Sequence, residues 1–512
     1  MLVVALTGLS LGLGFYHLSS RSLWLDEGYT WLTAAQSTKG IWAIAGSQGY
    51  HLLPYYLLIH ALIGWFGDSA FVLRAPSVIA GAAAVPLMYM LAARLGGRLV
   101  GLYAGVLLVV SQPLVFWQQN ARDYAFVVLF SVAATLAAVV GIQNRSLGPL
   151  VAWALIMAVG CYTHPEMLLL VVPQELAMLL WSRSARIRIG IVGLTAVGAL
   201  LNLPVLFNAV HSSVYQTTPL LPPGVNSATE IATFLASGAG AGIPVTATDH
   251  ALLGVTFALT VVGVAMLGAD LVERGCTPEN LGLGLGLAWL VLPPVLSWLV
   301  SESGHPDFLD RYLILSLPAA SLVLALVLGR IEARSLGLFG LVYLTIFRFG
   351  VLAPSYSVPL DDFSTATAHL LAAARPGDCV TVSSNEARAL YDYYSARLAR
   401  SSGGRLVQPV QVLPFALNGP PAVVLDFNDL PPGAIENSHQ PWFVAQAATG
   451  CRRIWLFQSH IGSPTGSATS RQFYRSLLTL EANLQQYYRP AGQYNYHGVA
   501  VSLFDRFRQT PG

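Results

Sequence analysis

Apolar runs long enough to cross a bilayer recur along the first 352 residues, and short basic clusters separate them. Hydrophobic residues make up 54% of the chain and charged residues only 10%, whereas an ordinary soluble protein carries about 25% charged residues. These features predict a polytopic, mostly helical membrane protein. The formal net charge of +2 is too small to suggest nucleic acid as a partner, since nucleic-acid binding requires a concentrated basic surface.

The orientation depends on the segment 52–66, which is apolar but short. If it spans the membrane, the cluster with Arg94 and Arg98 and every later basic cluster fall outside. If it lies in the interface or re-enters, five basic clusters fall on the cytoplasmic side, as the positive-inside rule favours. We adopt the second reading. The five clusters are "ARLGGR", "QNRS", "WSRSARIR", "DLVERG" and "GRIEARS".

We therefore predict about eleven transmembrane helices. Residues 1–18 have no basic n-region and no small-residue cleavage site, which indicates a retained span and not a signal peptide. This places the protein in the plasma (inner) membrane as a multi-pass protein, with a cytoplasmic N-terminus and an extracytoplasmic C-terminal region. The predicted spans are 1–18, 76–93, 98–116, 125–141, 148–163, 168–182, 187–205, 250–270, 281–300, 312–329 and 335–352.

After the last predicted span, the sequence becomes mixed in polarity. Segments such as "CVTVSS", "AVVLDF", "RIWLFQS" and "GVAVSLFDR" are typical of strands and alternate with helix-length segments. This alternation predicts a small α/β domain with a largely parallel sheet over 353–512, following a membrane domain over 1–352 whose first outer loop is 19–75. Cys379 and Cys451 adjoin two of these strands, where either a disulfide or two buried free thiols is consistent with the sequence.

The stretch "RSLWLDEGYT" places two adjacent carboxylates, Asp26 and Glu27, directly after the first predicted span. A single acid at such a position is often solvated or caps the following helix. Here Leu-Trp-Leu precedes the pair and Tyr-Thr-Trp-Leu follows it, so the acids have an apolar setting in which unpaired charge is costly. We interpret the pair as functional.

Further ionisable residues collect on the same predicted outer side. Arg122 is a candidate for binding a phosphate oxygen, although it is also placed to extend to the interface and pair with Asp123. His164 has the alternative role of a packing hydrogen bonder, and Arg311 that of an interfacial anchor. The other candidates in these segments are Tyr50, His51, Arg74, Tyr124, Glu166, Glu302, His305, Asp307 and Asp310.

Several motifs occur in a fixed order: "LWLDEGYT", "HLLPYYLL", "VLRAPS", "QNARDYAF", "YTH" and "DRYLILSLP". Together they resemble the GT-C superfamily of membrane glycosyltransferases, in the bacterial branch that includes protein O-mannosyltransferases and aminoarabinose transferases. The resemblance covers roughly residues 1 to 352. It departs from several relatives at His51, where they carry "HPP" in place of "HLLP".

The resemblance implies an inverting transfer from a polyprenyl-phosphate-linked sugar on the extracytoplasmic face. By position, Asp26 matches the general base and Glu27 its neighbour, which orients the acceptor or a divalent ion. Arg122 matches a basic residue near the donor phosphate, with Arg311, Arg74 and His305 as further phosphate contacts. The substrate-binding candidates are Tyr50, His51, Tyr124, His164 and Asp310.

The resemblance leaves several properties open. The sugar is mannose, arabinofuranose or another pentose or hexose, and the acceptor is a cell-envelope glycan, a glycolipid or a protein. No cofactor is certain; Mg²⁺, Mn²⁺ or Ca²⁺ is an option because relatives differ in metal requirement. A lipid or glycan transporter (flippase) and a non-catalytic envelope scaffold are the alternatives. A transporter predicts inverted repeats and mid-span charges, of which Arg348 is the one candidate found.

Overall fold

The structure is a computed structural model that describes residues 1–211, 247–302, 310–356, 360–382, 385–411, 450–460, 464 and 468–507. Contacts divide these residues into two compact units. The first, the helical unit, contains 1–18, 37–211 and 247–356. The second, the α/β unit, contains 360–507 together with residues 19–36. The acid pair therefore belongs to the α/β unit.

Sixteen helices precede the C-terminal region in the described part of the chain. They are α1 (Leu2–Phe15), α2 (Leu25–Ala34), α3 (Thr38–Ser47), α4 (Leu53–Phe66), α5 (Ala70–Gly96), α6 (Arg98–Val109), α7 (Gln112–Gln118), α8 (Tyr124–Asn144), α9 (Leu147–Thr163), α10 (Leu168–Trp181), α11 (Ala185–Leu201), α12 (Leu203–His211), α13 (Ala247–Arg274), α14 (Leu281–Glu302), α15 (Leu317–Arg330) and α16 (Arg334–Ser355). Short 3-10 helices occupy Pro165–Met167, Pro278–Asn280 and Asp310–Ser316.

The C-terminal region contains three further helices and five strands among its described residues. They are α17 (Phe363–Ala373), β1 (Asp378–Val382), α18 (Asn385–Ser401), β2 (Val410–Gln411), β3 (Arg453–Ser459), α19 (Ala468–Leu484), β4 (Tyr488–Tyr496) and β5 (Val499–Arg506). The prediction of an apolar helical region followed by an α/β domain is confirmed. The predicted strand "AVVLDF" lies outside the described residues.

Every predicted apolar span coincides with a helix or helix pair in the described residues. Within those residues, four helices are long and apolar enough to cross a membrane, or five if one bent pair counts as a single span. The short helix α4 has 14 residues and a length of about 21 Å, less than the roughly 30 Å hydrocarbon core. The total of eleven crossings and the side of the N-terminus stay predictions.

The basic clusters meet at one end of the helical unit. Arg330 forms an ion pair with Asp270 at 2.9 Å, and Arg94 donates a hydrogen bond to Gln143 at 3.5 Å. Trp181 donates to the carbonyl of Thr277 at 2.8 Å, which joins a further cluster to this end. The contacts bring residues of these clusters together, and the side of the membrane on which the clusters lie stays a prediction.

The predicted span 98–116 is a bent pair of helices, because the chain turns by 57° between α6 and α7. Pro113 lacks the N–H that would continue the helical hydrogen bonds, and Ser111 donates to the carbonyl of Leu108. This leaves the Leu107 carbonyl without its helical donor. Arg348, which is 1% exposed in α16, donates to that carbonyl at 2.6 Å. The sequence offered no partner for Arg348, and the break in the helix supplies one.

The sheet has the order β2-β1-β3-β5-β4. β1 pairs in parallel with β2 and β3, whereas β5 pairs antiparallel with β3 and β4. The largely parallel sheet predicted from the sequence is therefore wrong. The sequence analysis did not identify β4, which forms a hairpin with β5. Gly498 has a φ of +69° in the connecting turn, a conformation that favours glycine.

Cys379 and Cys451 form a disulfide with a Cα–Cα distance of 5.6 Å. Cys379 lies in β1, and Cys451 lies directly before β3, the parallel neighbour of β1. Both side chains belong to a buried cluster with Leu477, Leu480 and Tyr488. The disulfide alternative of the sequence analysis is thus the one that the structure adopts.

We expect alkylation of the denatured, unreduced protein to label two cysteines, and alkylation after reduction to label four. Cys451→Ser removes a cross-link that spans 72 residues and should destabilise the α/β unit by about 4 kcal/mol. Mass spectrometry and thermal unfolding measure these effects. Cys276→Ser is the matched control because this cysteine is free and exposed. Labelling of four cysteines without reduction contradicts the disulfide.

Candidate functional site

The candidate residues of the helical unit lie in turns between helices. His51 lies between α3 and α4, Arg122 between α7 and α8, and His164 between α9 and the following 3-10 helix. Arg311 lies in the 3-10 helix that precedes α15. His305 is outside the described residues, and Asp310 begins that 3-10 helix but its side chain is not described.

His164 is the centre of a chain of aromatic contacts. Its ring centroid lies 5.2 Å from that of Tyr124 and 5.3 Å from that of Tyr312. Tyr124 also contacts Trp117, with 4.0 Å between ring centroids. The guanidinium of Arg311 lies 5.9 Å from the centroid of the Tyr312 ring, within cation–π range. The rings therefore hold His164 and Arg311 in defined positions.

Three basic residues surround His164. Burial lowers the pKa of His164 well below its ordinary value, and the neighbouring His51, Arg122 and Arg311 lower that pKa further. His164 is consequently neutral at pH 7. We call His51, Arg122, His164 and Arg311 the histidine–arginine cluster. Its two guanidinium groups are chemically suited to an anion such as a phosphate.

The hydrogen bonds of the two histidines define their tautomers. Nδ1 of His164 accepts the backbone N–H of Glu166 at 3.3 Å, so a neutral ring carries its proton on Nε2. Nδ1 of His51 lies 2.7 Å from the Gln48 carbonyl and donates to it, which leaves Nε2 of the neutral ring as an acceptor. Burial also lowers the pKa of His51. The cluster thus contains both a donor and an acceptor besides its arginines.

The backbone around His51 is strained. Tyr50 and Leu52, its two neighbours, have φ values of +64° and +62°, in the left-handed region that non-glycine residues rarely adopt. Each such residue costs of the order of 1 kcal/mol, and strain of this kind concentrates at functional positions. Gln48, which binds the His51 ring, also accepts a hydrogen bond from Asn208 at 3.2 Å.

Two of the predicted site residues have other described contacts. Arg74 is 1% exposed and donates to the carbonyl of Leu18 at 2.8 Å, at the turn that follows α1. The Tyr50 ring packs against Trp42 with 6.0 Å between centroids. The assignment of Arg74 to phosphate binding and of Tyr50 to substrate binding stays a prediction.

The acid pair lies in the first turn of α2, within the α/β unit. Glu27 is fully buried, and its carboxylate accepts the backbone N–H of Trp24 at 3.3 Å. This bond satisfies one of the amide groups that every helix N-terminus leaves unpaired. Asp26, the residue before it, is partly exposed. The two acids therefore differ: Glu27 caps its own helix, and Asp26 is the more accessible carboxylate.

The sequence analysis did not select Trp117 or Tyr312, which hold the histidine–arginine cluster, or Asp361, which contacts α2. Tyr312 directly follows Arg311 in "DRYLILSLP", so adjacency to a candidate arginine was the available signal. Nothing in the local sequence connects Asp361 with residue 25, because that contact joins segments 336 residues apart.

A divalent cation requires several oxygen or nitrogen ligands that converge on one point. Within the described ranges, no group of three or more His, Cys, Asp or Glu side chains has this arrangement. A divalent cation at the site stays a prediction.

Residues 52–207 match the family described as dolichyl-phosphate-mannose-protein mannosyltransferase. ArnT from Cupriavidus metallidurans has a similar structure, with a TM-score of 0.56, 12% identity and coverage of 98% of this chain and 97% of that chain. The chain has the GT-C fold. This agrees with the order of motifs in the sequence. No curated protein sequence matches the chain.

Two structures of the GT-C fold contain lipid phosphates. ArnT bound to undecaprenyl phosphate has a TM-score of 0.54 and 13% identity, with coverage of 98% of this chain and 97% of that chain. The archaeal oligosaccharyltransferase AglB from Archaeoglobus fulgidus, in complex with an inhibitory peptide and a dolichol-phosphate, has a TM-score of 0.55 and 11% identity. That match covers 100% of this chain and 74% of AglB.

We expect the thermal midpoint of the detergent-solubilised protein to fall as the pH falls below about 6.5, the pKa of histidine in an unfolded chain. The folded state holds the pKa of His164 below that value, so the unfolded state binds more protons there and gains stability. His164→Asn keeps an acceptor for the Glu166 amide and should show a shallower fall. His17→Asn is the control because His17 is exposed with a φ of +55°. Equal slopes for wild type and His164→Asn contradict the prediction.

Proposed function

We propose that the protein is an inverting glycosyltransferase that moves a sugar from a polyprenyl-phosphate donor to an acceptor hydroxyl on the extracytoplasmic face of the membrane. The observation that carries the proposal is the histidine–arginine cluster, which gathers positive charge at the ends of apolar helices. A donor with a lipid tail and a phosphate headgroup matches this setting, because the isoprenoid stays among the helices while the phosphate meets the arginines.

The cluster supplies the contacts that a phosphate leaving group needs. Arg122 and Arg311 offer guanidinium groups for charge-assisted hydrogen bonds to phosphate oxygens. Neutral His164 adds an Nε2–H donor whose direction is fixed by the Glu166 amide on the opposite nitrogen. Fixed donors of this kind stabilise the negative charge that develops on the phosphate as the glycosidic bond breaks.

In the proposed reaction, Asp26 accepts the proton of the acceptor hydroxyl. The hydroxyl oxygen attacks the anomeric carbon from the face opposite the phosphate, and the bond between that carbon and the phosphate oxygen breaks. Its electron pair stays on the polyprenyl phosphate. The products are the glycoside with inverted configuration, polyprenyl phosphate and protonated Asp26. Glu27 is proposed to maintain the helix turn that carries Asp26, since its carboxylate caps that turn.

Several features support this reading over a transporter. Arg348, the mid-span charge that a substrate pathway would explain, binds the Leu107 carbonyl at the break between α6 and α7. The disulfide is typical of an oxidising compartment and supports an extracytoplasmic α/β unit.

We propose mannose or arabinofuranose as the sugar and a cell-envelope glycan, glycolipid or protein as the acceptor.

Sugar transfer by the purified protein in lipid tests the proposed base. We expect the wild type to consume polyprenyl-phosphate mannose or polyprenyl-phosphate arabinose, and Asp26→Asn to reduce kcat by about 10² or more because the variant cannot accept the proton. Glu27→Gln keeps an acceptor for the Trp24 amide and serves as the matched control, with a smaller loss. If Asp26→Asn transfers as fast as the wild type, the base is another residue. If neither donor is consumed, the transporter alternative gains support.

Variants of the two arginines test phosphate binding. Arg122→Gln and Arg311→Gln each remove one charged donor, so we expect kcat/KM for the lipid donor to fall by roughly 10 to 10²-fold. The Lys variants should recover part of this loss because they keep the charge but not the planar fork. Arg98→Gln is the control, since Arg98 lies at the opposite end of the helical unit among the basic clusters. An unchanged kcat/KM in both Gln variants contradicts the assignment.

A further inference from the structure

The C-terminal region holds the segment that carries the acid pair, and both belong to the α/β unit. The Tyr394 hydroxyl in α18 accepts the backbone N–H of Leu23 at 2.6 Å and also contacts the Ser22 hydroxyl at 3.3 Å. The Ser22 hydroxyl in turn accepts the backbone N–H of Ser364 in α17 at 3.2 Å. The chain leading into α2 is thus fixed by two helices that lie more than 300 residues later in the sequence.

A carboxylate from the C-terminal region caps α2. Asp361, which is 5% exposed, accepts the backbone N–H of Leu25 at 3.3 Å. Leu25 is the first helical residue and directly precedes Asp26, and its N–H has no partner within the helix. The Asp361 carboxylate and the Glu27 carboxylate therefore satisfy successive amides of the turn that carries Asp26.

Side-chain packing fixes the rest of α2 on the same surface. Gly28 lies directly against Leu390 of α18, and a Cβ at position 28 would come within 2.7 Å of its Cγ atom. The Trp31 ring contacts the Tyr393 ring edge-on with 5.2 Å between centroids. A side chain larger than hydrogen at position 28 would therefore require Leu390 or α2 to shift.

The position of Asp361 is electrostatically costly. Burial raises the pKa of the Asp361 carboxyl, and the nearby charge of Asp26 raises it further. His460, the Leu25 amide and His497 act in the opposite direction. The turn at Gly498 packs directly on the carboxylate, which restricts its orientation. Burial of a carboxylate beside a second carboxylate costs free energy, and packing alone does not require an acid at this position.

We propose that Asp361 and Tyr394 are positioning residues for the transfer reaction: they hold the first turn of α2 so that Asp26 has one defined orientation. This inference rests on the proposed function. It assigns the C-terminal region a direct part in catalysis through the acid-bearing helix, in addition to any role in acceptor binding. Misplacement of a catalytic group by about 1 Å is enough to reduce a rate by up to 10².

The test compares three variants in the purified full-length protein. Asp361→Ala removes the acceptor for the Leu25 amide and should lower kcat about tenfold or more, with KM for the lipid donor changed by less than about twofold. Asp361→Asn keeps an oxygen acceptor and should recover most of the lost kcat. Tyr394→Phe removes the acceptor for the Leu23 amide and should lower kcat in the same way as Asp361→Ala.

Asp378→Asn is the matched control. Asp378 is a buried acid of the same unit that binds Arg453 and Trp455 at 2.6 and 2.9 Å, in strands of the sheet. We expect this variant to lower the thermal midpoint while kcat stays within about twofold, because its bonds do not involve α2. A fall in kcat equal to that of Asp361→Ala would show that general loosening of the unit is the cause, and would overturn the proposal.

Hydrogen–deuterium exchange of residues 22–31 gives a readout that does not depend on activity. We expect faster exchange in Asp361→Ala and Tyr394→Phe, and wild-type exchange in Asp361→Asn and Asp378→Asn. An unchanged kcat in Asp361→Ala, or no recovery in Asp361→Asn, overturns the positioning role. If the wild type transfers no sugar, the proposed function fails. Faster exchange in Asp361→Ala would then still show that Asp361 stabilises the first turn of α2. Unchanged exchange would overturn that role as well.

Discussion

Positive charge buried among apolar helices requires an oxygen partner, and the helical unit depends on how this requirement is met. Arg74 binds the Leu18 carbonyl at the turn after α1, and Arg348 binds the Leu107 carbonyl at the break after α6. Both arginines thereby bind carbonyl groups that a continuing helix would have used. The second site exists because the Ser111 N–H, which a continuing helix would direct to the Leu107 carbonyl, donates to the Leu108 carbonyl at 3.1 Å.

In the histidine–arginine cluster, one of the four basic residues is neutral. Burial, and to a smaller extent the neighbouring His51, Arg122 and Arg311, lower the pKa of His164, so this histidine stays neutral and adds no charge to the cluster. The aromatic rings of Tyr124 and Tyr312 pack against the imidazole, with centroid distances of 5.2 and 5.3 Å. A phosphate headgroup would be a natural complement to two charged guanidinium groups in such surroundings.

The two carboxylates of the acid pair differ in burial and in their contacts. Asp26 and Glu27 are adjacent carboxylates in the sequence, yet Glu27 is buried and caps its own helix, whereas Asp26 is partly exposed. The Leu25 amide that precedes them is bound by Asp361 from the C-terminal region. The acids near α2 therefore have two different roles. Asp361 and Glu27 cap the helix, and Asp26 is the proposed proton acceptor.

The sequence by itself determined the apolar helices, the grouping of basic clusters at one end, the order of the GT-C motifs and the α/β character of the C-terminal region. These follow from hydropathy, charge and short motifs, which are properties of local sequence. Only the tertiary structure decided that α6 and α7 are bent, that β4 and β5 form an antiparallel hairpin on the sheet, and that α2 belongs with the C-terminal region. It also decided which arginines bind carbonyls and which surround His164. Each of these depends on the partner of a buried polar group, and that partner is set by packing between segments far apart in the chain.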